Sequence, residues 1–205
     1  MFAYSLGDGA EMRPLEPWRA EEFAAHVARV RDHLAPWVPF ATRVVDAASA
    51  RVLLQRYADK QARDEGAMYG IWQDQTLIGG TLFRAFDAQT GICEIGVWLA
   101  PEAEGRGLVT RAVRHMIDWA VVVRGITRVE WRTDPDNARS RAVAQRLGMT
   151  LDGVLRASFP INDELRDTEV WSLLASEWNP NRQSSPARQS SPARQPWLAR
   201  PSSSV

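Results

Sequence analysis

One stretch, Glu94 to Ala120, reading EIGVWLAPEAEGRGLVTRAVRHMIDWA, limits what this chain can fold into. It begins inside Gly91 to Leu99, a run rich in apolar, β-branched and aromatic residues, the pattern of a short strand. Pro101 ends that run. After Gly105-Arg106-Gly107, apolar residues recur at Val109, Ala112, Val113, Met116, Ile117 and Ala120, which is one face of an amphipathic helix. A strand therefore feeds through a glycine turn into a helix. Glycines permit close approach of a ligand to the backbone, and a helix start presents unpaired N–H groups at the positive end of its dipole. The unit reads either as an anion cradle or as an ordinary strand-to-helix connection, and two glycines alone do not separate these. No Gly-Lys-Ser/Thr is present, which excludes a nucleoside-triphosphate P-loop. A dinucleotide fingerprint also fits poorly, because the third glycine and a well-placed acid after a following strand are missing.

The remaining chain supplies strands and helices around that unit. Ala10 to Leu15 reads as a strand. Trp18 to Leu34 reads as a helix, with Phe23, Val27, Val30 and Leu34 on one face and Glu21 and Glu22 in its first turn. Pro36-Trp37-Val38-Pro39-Phe40 breaks that helix, and Asp46 is placed to N-cap a second one running to about Arg63. Met68 to Trp72, Leu77 to Phe86 and Gly91 to Leu99 form a meander with short polar turns. Thr127 to Thr133 follows the central helix as a strand. Asp134-Pro135-Asp136-Asn137 then opens a helix that ends at Leu147-Gly148. Val154 to Phe159 and Leu165 to Leu173 form a terminal hairpin about Asn162-Asp163. The expected fold class is α+β, a central mixed sheet of about seven strands flanked by four helices.

At 205 residues, 45% hydrophobic and 24% charged, the chain has the composition of an ordinary globular domain. The domain is expected over residues 1–178 and a separate extension over 179–205. That extension repeats Gln-Ser-Ser-Pro-Ala-Arg twice, at 183–188 and 189–194, a composition that cannot bury enough surface to fold. It holds Arg182, Arg188, Arg194 and Arg200 and no acid, so the domain keeps 21 of the 25 basic residues against all 25 acids. Four spaced arginines are thin evidence for an RNA partner. No run of eighteen apolar residues and no signal peptide appears, and the single Cys93 has no internal partner, so a cytoplasmic location fits. Cys93 reads as a small core residue inside a strand rather than a nucleophile. His26, His33 and His115 stand apart from one another, and no metal is assigned.

Glu104-Gly105-Arg106-Gly107-Leu108-Val109 resembles the pyrophosphate-binding turn of the GNAT superfamily of N-acetyltransferases, which runs Gln/Arg-Gly-x-Gly-x-Gly/Ala. The first and last positions depart from that pattern, and Glu104 puts a like charge beside a phosphate site. Trp98-Leu99-Ala100-Pro101, followed by Gly-Arg-Gly-Leu-Val-Thr110, is similar to the RimJ/RimL branch, which acetylates protein N-termini. Asn137 and Ser140 at a helix start, with Arg146-Leu147-Gly148-Met149 behind them, resemble the family's second motif. Read physically, both are also helix-capping residue types. The resemblance covers roughly residues 10 to 178 and implies acetyl-CoA as co-substrate, with no metal. It implies cofactor contacts at Trp98, Leu99, Glu104 to Thr110, Asn137 and Ser140. It also places Trp37 and Phe40 in the loop lining the acceptor, although both could equally cap the core.

The chemistry needs a neutral amine, a polarised carbonyl and a protonated leaving sulfur. Ser140 is the candidate donor to the thiolate, because the family's common tyrosine would fall at Ala144. Glu94 is the candidate base, a carboxylate inside an apolar strand just before the turn, unless strand alternation points it at solvent. The hairpin position that carries a glutamate base in the RimL-like branch is Phe159 here, which leaves Asp134 and Asp163 as fallbacks. The implied acceptor is a protein N-terminal α-amine. Two alternatives are a small-molecule amine such as an antibiotic, polyamine or amino-sugar, and a non-catalytic acyl-CoA-binding module. No membrane or nucleic-acid partner is expected, and either a monomer or a homodimer is compatible.

Overall fold

Turn chemistry sets most of the strand boundaries in this computed structural model, which describes residues 3–162 and 164–179. Asp8 and Gly9 take positive φ values of 54° and 72° and join β1 (Tyr4–Gly7) to β2 (Ala10–Pro14) as a two-residue hairpin loop. Asp74 and Gln75, at 47° and 64°, do the same between β3 (Ala67–Gln73) and β4 (Thr76–Asp87). The helix α1 (Ala20–Leu34) follows one turn of 3₁₀ helix, and α2 (Phe40–Arg43) is a single turn after Pro39. Asp46 caps α3 (Ala47–Ala62), its Oδ1 accepting the Ser49 N–H at 2.8 Å. Then come β5 (Ile92–Leu99), α4 (Leu108–Asp118), β6 (Arg128–Thr133), α5 (Ala138–Leu147), β7 (Thr150–Ile161) and β8 (Glu164–Leu174).

The mixed sheet with flanking helices agrees with the expected fold class, with two additions. Eight strands replace about seven, because Tyr4–Gly7 adds an edge strand that its own turn builds. Five helices replace four, because Phe40–Arg43 makes one helical turn inside the proline-flanked break. The hairpin strand β7 also starts earlier than Val154. Most of the extension at 179–205, with both Gln-Ser-Ser-Pro-Ala-Arg units, lies outside the described residues, as does the fallback Asp163. Trp178, near the end of what is described, packs on the core, and its Nε1 donates to Asp118 Oδ1 at 2.7 Å.

The strand order is β1-β2-β3-β4-β5-β6-β8-β7, and every pairing is antiparallel except β5 with β6. A parallel pair needs a crossover, and α4 provides it. Two cores result. On one sheet face Phe83, Ile95 and Trp131 pack with Met116 and Ile117 of α4 and Leu147 of α5. On the other, Trp72 and Trp98 pack with Phe23 and Val27 of α1 and Leu54 of α3. Alternation along β5 sends Cys93 and Ile95 to the first core and Trp98 to the second, so Glu94 shares the α1/α3 face with Trp98. Cys93 is fully buried, and burial pushes its thiol up to about 12, which suits a core residue and not a nucleophile. Among the described residues no helix is long and apolar enough to cross a membrane.

Candidate active site

The parallel ladder between β5 and β6 runs only from Ile92↔Arg128 to Ile95↔Trp131. Beyond it β5 stays with β4 as far as Leu99↔Gly79, while β6 stays with β8 as far as Thr133↔Glu169. Each strand is held by its outer neighbour, so the two separate and a cleft of about 940 Å³ opens between them. The starts of α4 and α5 line one end. The Pro36–Val44 segment, α3 and the β7–β8 hairpin line the other.

At the first end Gly105 and Gly107 take φ of 75° and 71°, a region costly for residues with a β-carbon. A Cβ at Gly105 would meet nothing within 4 Å, and one at Gly107 only Arg111 Nη1 at 3.5 Å. The space above the turn is open. Gly107 is the N-cap of α4 and no side chain caps that helix, so its first N–H groups are left for a ligand. This cradle fits a pyrophosphate. Glu104 lines it but is already engaged: Arg139 Nη1 donates to both of its oxygens, at 2.8 and 2.9 Å, and His33 Nε2 lies 3.0 Å from Oε1. The like charge at the turn is therefore offset by the Arg139 guanidinium from α5, with the His33 imidazole of α1 as a second polar partner.

Asn137 is the N-cap of α5; its Oδ1 accepts the Ser140 N–H at 3.0 Å. The Ser140 hydroxyl is not the cap. Its Oγ accepts from Trp131 Nε1 at 2.9 Å. An indole N–H can only donate, so the serine oxygen must accept, and its own O–H remains to donate into the cleft it lines.

At the second end, Glu94 lines the cleft with its side chain 15% exposed. It does not project into bulk solvent. Arg84 Nη1 donates to its Oε1 at 3.3 Å and Arg132 Nε lies 3.7 Å from its Oε2. Phe159 lies across Arg84, whose guanidinium sits 5.3 Å from the ring centre. Trp37 and Phe40 both line the cleft, and Phe40 packs edge-on against Trp98 at 5.4 Å. Trp98 is buried, and its Nε1 has no hydrogen-bond partner among the described residues. The hairpin tip is tied over this end by Asn162 Nδ2, which donates to the Ala35 carbonyl at 3.1 Å.

The family model described as an acetyltransferase (GNAT) domain matches residues 11–150. The chain belongs to that family. The putative ribosomal N-acetyltransferase YdaF of Bacillus subtilis (strain 168) is 31% identical over 183 residues, spanning 87% of this chain and 98% of the relative. A crystal structure of a probable acetyltransferase is 30% identical and superimposes with a TM-score of 0.80, covering 87% of this chain and 99% of the other. RimL, a ribosomal alpha-N-protein acetyltransferase solved with coenzyme A, shares the fold at 21% identity, with a TM-score of 0.78 and coverage of 84% and 97%. This GNAT chain is an N-acetyltransferase, and its relatives carry the RimJ/RimL-like names that its motifs resemble.

Of the residues expected at the GNAT cofactor turn, Arg106 and Thr110 do not line the cleft. The Arg106 guanidinium reaches Gln73 Oε1 instead, and Thr110 Oγ1 accepts from Arg146 at 3.3 Å. Trp98, Leu99, Glu104, Gly105, Gly107, Leu108 and Val109 are all brought to it. Several lining residues match no family motif. Arg139 and Arg146 reach it from α5, and Tyr57 and Arg56 from α3. The stripe Ser49, Leu53, Arg56 and Tyr57 repeats at helical spacing and was the available cue. Burial pushes the Tyr57 phenol above its ordinary value, so it stays protonated and can donate.

Proposed function

We propose that this enzyme transfers an acetyl group from acetyl-CoA to the α-amine of a protein N-terminus. The observation that carries the reading is the continuity of the cleft. It runs from the glycine turn, past the separated strands, to the end lined by the Pro36–Val44 segment, α3 and the β7–β8 hairpin, where the chain terminus is placed. The YdaF relative, matched over nearly its whole length, supports the protein acceptor. An α-amine has an ordinary pKa near 8 against about 10.4 for lysine, so far more of it is neutral and nucleophilic at pH 7.

The residues take these roles. Backbone N–H groups from Gly105 to Val109 hold the pyrophosphate, the Glu104 N–H being taken by the Pro101 carbonyl, and Arg139 and Arg146 add positive charge beside them. Asn137 contacts the pantetheine arm. The amine lone pair forms the new C–N bond as the C–S bond breaks. Glu94 takes the amine proton through a water, and the Ser140 O–H protonates the departing sulfur. A neutral amine leaves no proton over: the one that Glu94 takes returns through water to the Ser140 oxygen, and both groups are reset.

The test is a panel of N-terminal peptides, spermidine and an aminoglycoside with acetyl-CoA, reading free thiol release. Acetylated peptide α-amines, located by mass spectrometry, are the expected products. Turnover of only the small amines would move the enzyme to the small-molecule reading. Tight acetyl-CoA binding with no turnover on any acceptor would favour the non-catalytic one.

A further inference from the structure

The acceptor end of the cleft carries positive charge that the protein leaves unmatched. Arg43 closes α2 and Arg56 sits on α3; both are exposed and line the cleft. Neither has a hydrogen-bond or ion-pair partner among the described residues, whereas most other arginines around the site do. Arg84 and Arg132 also line this end, sharing Glu94, and Arg132 donates to Glu130 at 3.1 Å as well.

The carboxylates there are already committed. Glu94 faces two guanidiniums. Asp134 Oδ1 accepts the Asp136 N–H at 2.8 Å, and its Oδ2 lies 3.4 Å from Arg166. Asp167 Oδ1 accepts the Ala157 N–H at 2.8 Å. The acids are thus taken up by internal partners while two cations remain open to a ligand.

We propose that the acceptor is an acidic peptide: an N-terminal residue whose α-amine reaches Glu94, followed by carboxylates that pair with Arg43 and Arg56. This rests on the protein N-terminal reading above and narrows it. The same field acts three ways. It draws an acidic chain into the cleft and fixes its direction. It repels a polycation such as spermidine, whose charges would face unpaired guanidiniums. It also favours the neutral over the ammonium form of the incoming amine, which is the form the chemistry requires.

Three peptides of one length test this on the full-length enzyme, each starting with serine. The next positions are two aspartates, two asparagines or two lysines, and spermidine is the fourth acceptor. The aspartate peptide is expected to exceed the asparagine peptide in kcat/KM by about fivefold at low salt, the size that two exposed ion pairs supply. The lysine peptide is expected to fall below both. The spread should shrink at about 0.5 M salt, where the screening length drops to a few ångströms. The Arg43→Glu/Arg56→Glu variant should invert the order of the charged peptides.

Equal kcat/KM across the three peptides, or a preference for lysine, overturns the acidic-peptide inference while leaving N-terminal acetylation standing. A variant that keeps the wild-type order overturns the assignment to Arg43 and Arg56. Activity on spermidine with none on any peptide overturns both readings.

Discussion

Replacing Ser140 by alanine should have two effects with separate causes, and the structure says how to divide them. Trp131 is almost fully buried, and its indole N–H donates to Ser140 Oγ at 2.9 Å. Removing the oxygen leaves that buried donor without a partner, at a cost of about 1–3 kcal/mol. For a domain of this size the melting temperature falls about 2–4 °C per kcal/mol, so calorimetry should read a loss of roughly 5 °C. The helix cap is not at stake, because Asn137 Oδ1 accepts the backbone N–H of residue 140 and that bond survives. The catalytic effect is different in kind. Loss of the proton donor should lower kcat by about 10²–10⁴, with the KM for acetyl-CoA changed little. A double-mutant cycle with Trp131→Phe separates the two. With the indole N–H gone, the stability penalty of Ser140→Ala should shrink by about 1–3 kcal/mol, while the loss in kcat stays. Recovery of turnover along with stability in the double variant would show that Ser140 acts only by holding Trp131. A raised KM with kcat intact would make it a contact to the co-substrate and nothing more.

Gly107→Ala places a β-carbon at φ 71° and should cost about 1–2 kcal/mol of stability, so a fold left wholly intact is not expected of any substitution there. It should also raise the Kd for acetyl-CoA by about tenfold with kcat within about twofold, because it fills a cradle and touches no reacting group. Unchanged binding by calorimetry would remove the pyrophosphate from this turn. Glu94→Gln should lower kcat by about 10²–10⁴ across a steady-state pH series, since an amide accepts no proton. A wild-type profile would reduce Glu94 to a partner of Arg84 and Arg132. His26 is buried beside Arg29, and burial first, then that charge, lowers it from 6.5 to about 4. Between those values the unfolded chain binds a proton that the folded one refuses, so stability is fully present above pH 6.5 and is lost as pH falls toward 4. Urea denaturation should lose about 2 kcal/mol between pH 6.5 and 5 through this group, and His26→Leu should flatten that limb. An equal slope in the variant would refute the assignment.

What the sequence made legible is what local chemistry determines. Gly105 and Gly107 were readable because the turn needs positive φ at both, and Asp46 because a helix start needs an acceptor at that position. Gly7-Asp8-Gly9 carries the same kind of turn signal for β1, but four flanking residues make too short a strand pattern to register. Other features depended on packing. Whether Glu104 would clash with a phosphate turned on His33 and Arg139, which lie on two different helices that only the fold brings to it. Which way the Ser140 hydroxyl is oriented depends on Trp131 in β6. Arg56 carries no signal beyond that of an exposed helix charge, and only the packing of α3 brings it to the cleft.

The location of the site itself follows from topology. Among the described residues the sheet has eight strands, β5 and β6 form its only parallel pair, and α4 crosses between them. The crossover brings the glycine turn to the carboxyl end of β5, while the Asp134–Asn137 turn after β6 delivers α5 beside it. Two helix starts therefore converge where two strands end. Those strands also part there, because β4 holds one and β8 the other past the last shared pair, Ile95↔Trp131. Even-numbered β5 residues face α1 and α3, so Glu94 opens toward the end lined by α3 and the hairpin, while the uncapped N–H groups sit at the helix starts. On the roles proposed above, the gap lets the two halves of the reaction meet through the sheet. A pairing extended by two more residues would close it, and the same side chains would then line two separate surfaces with no shared site.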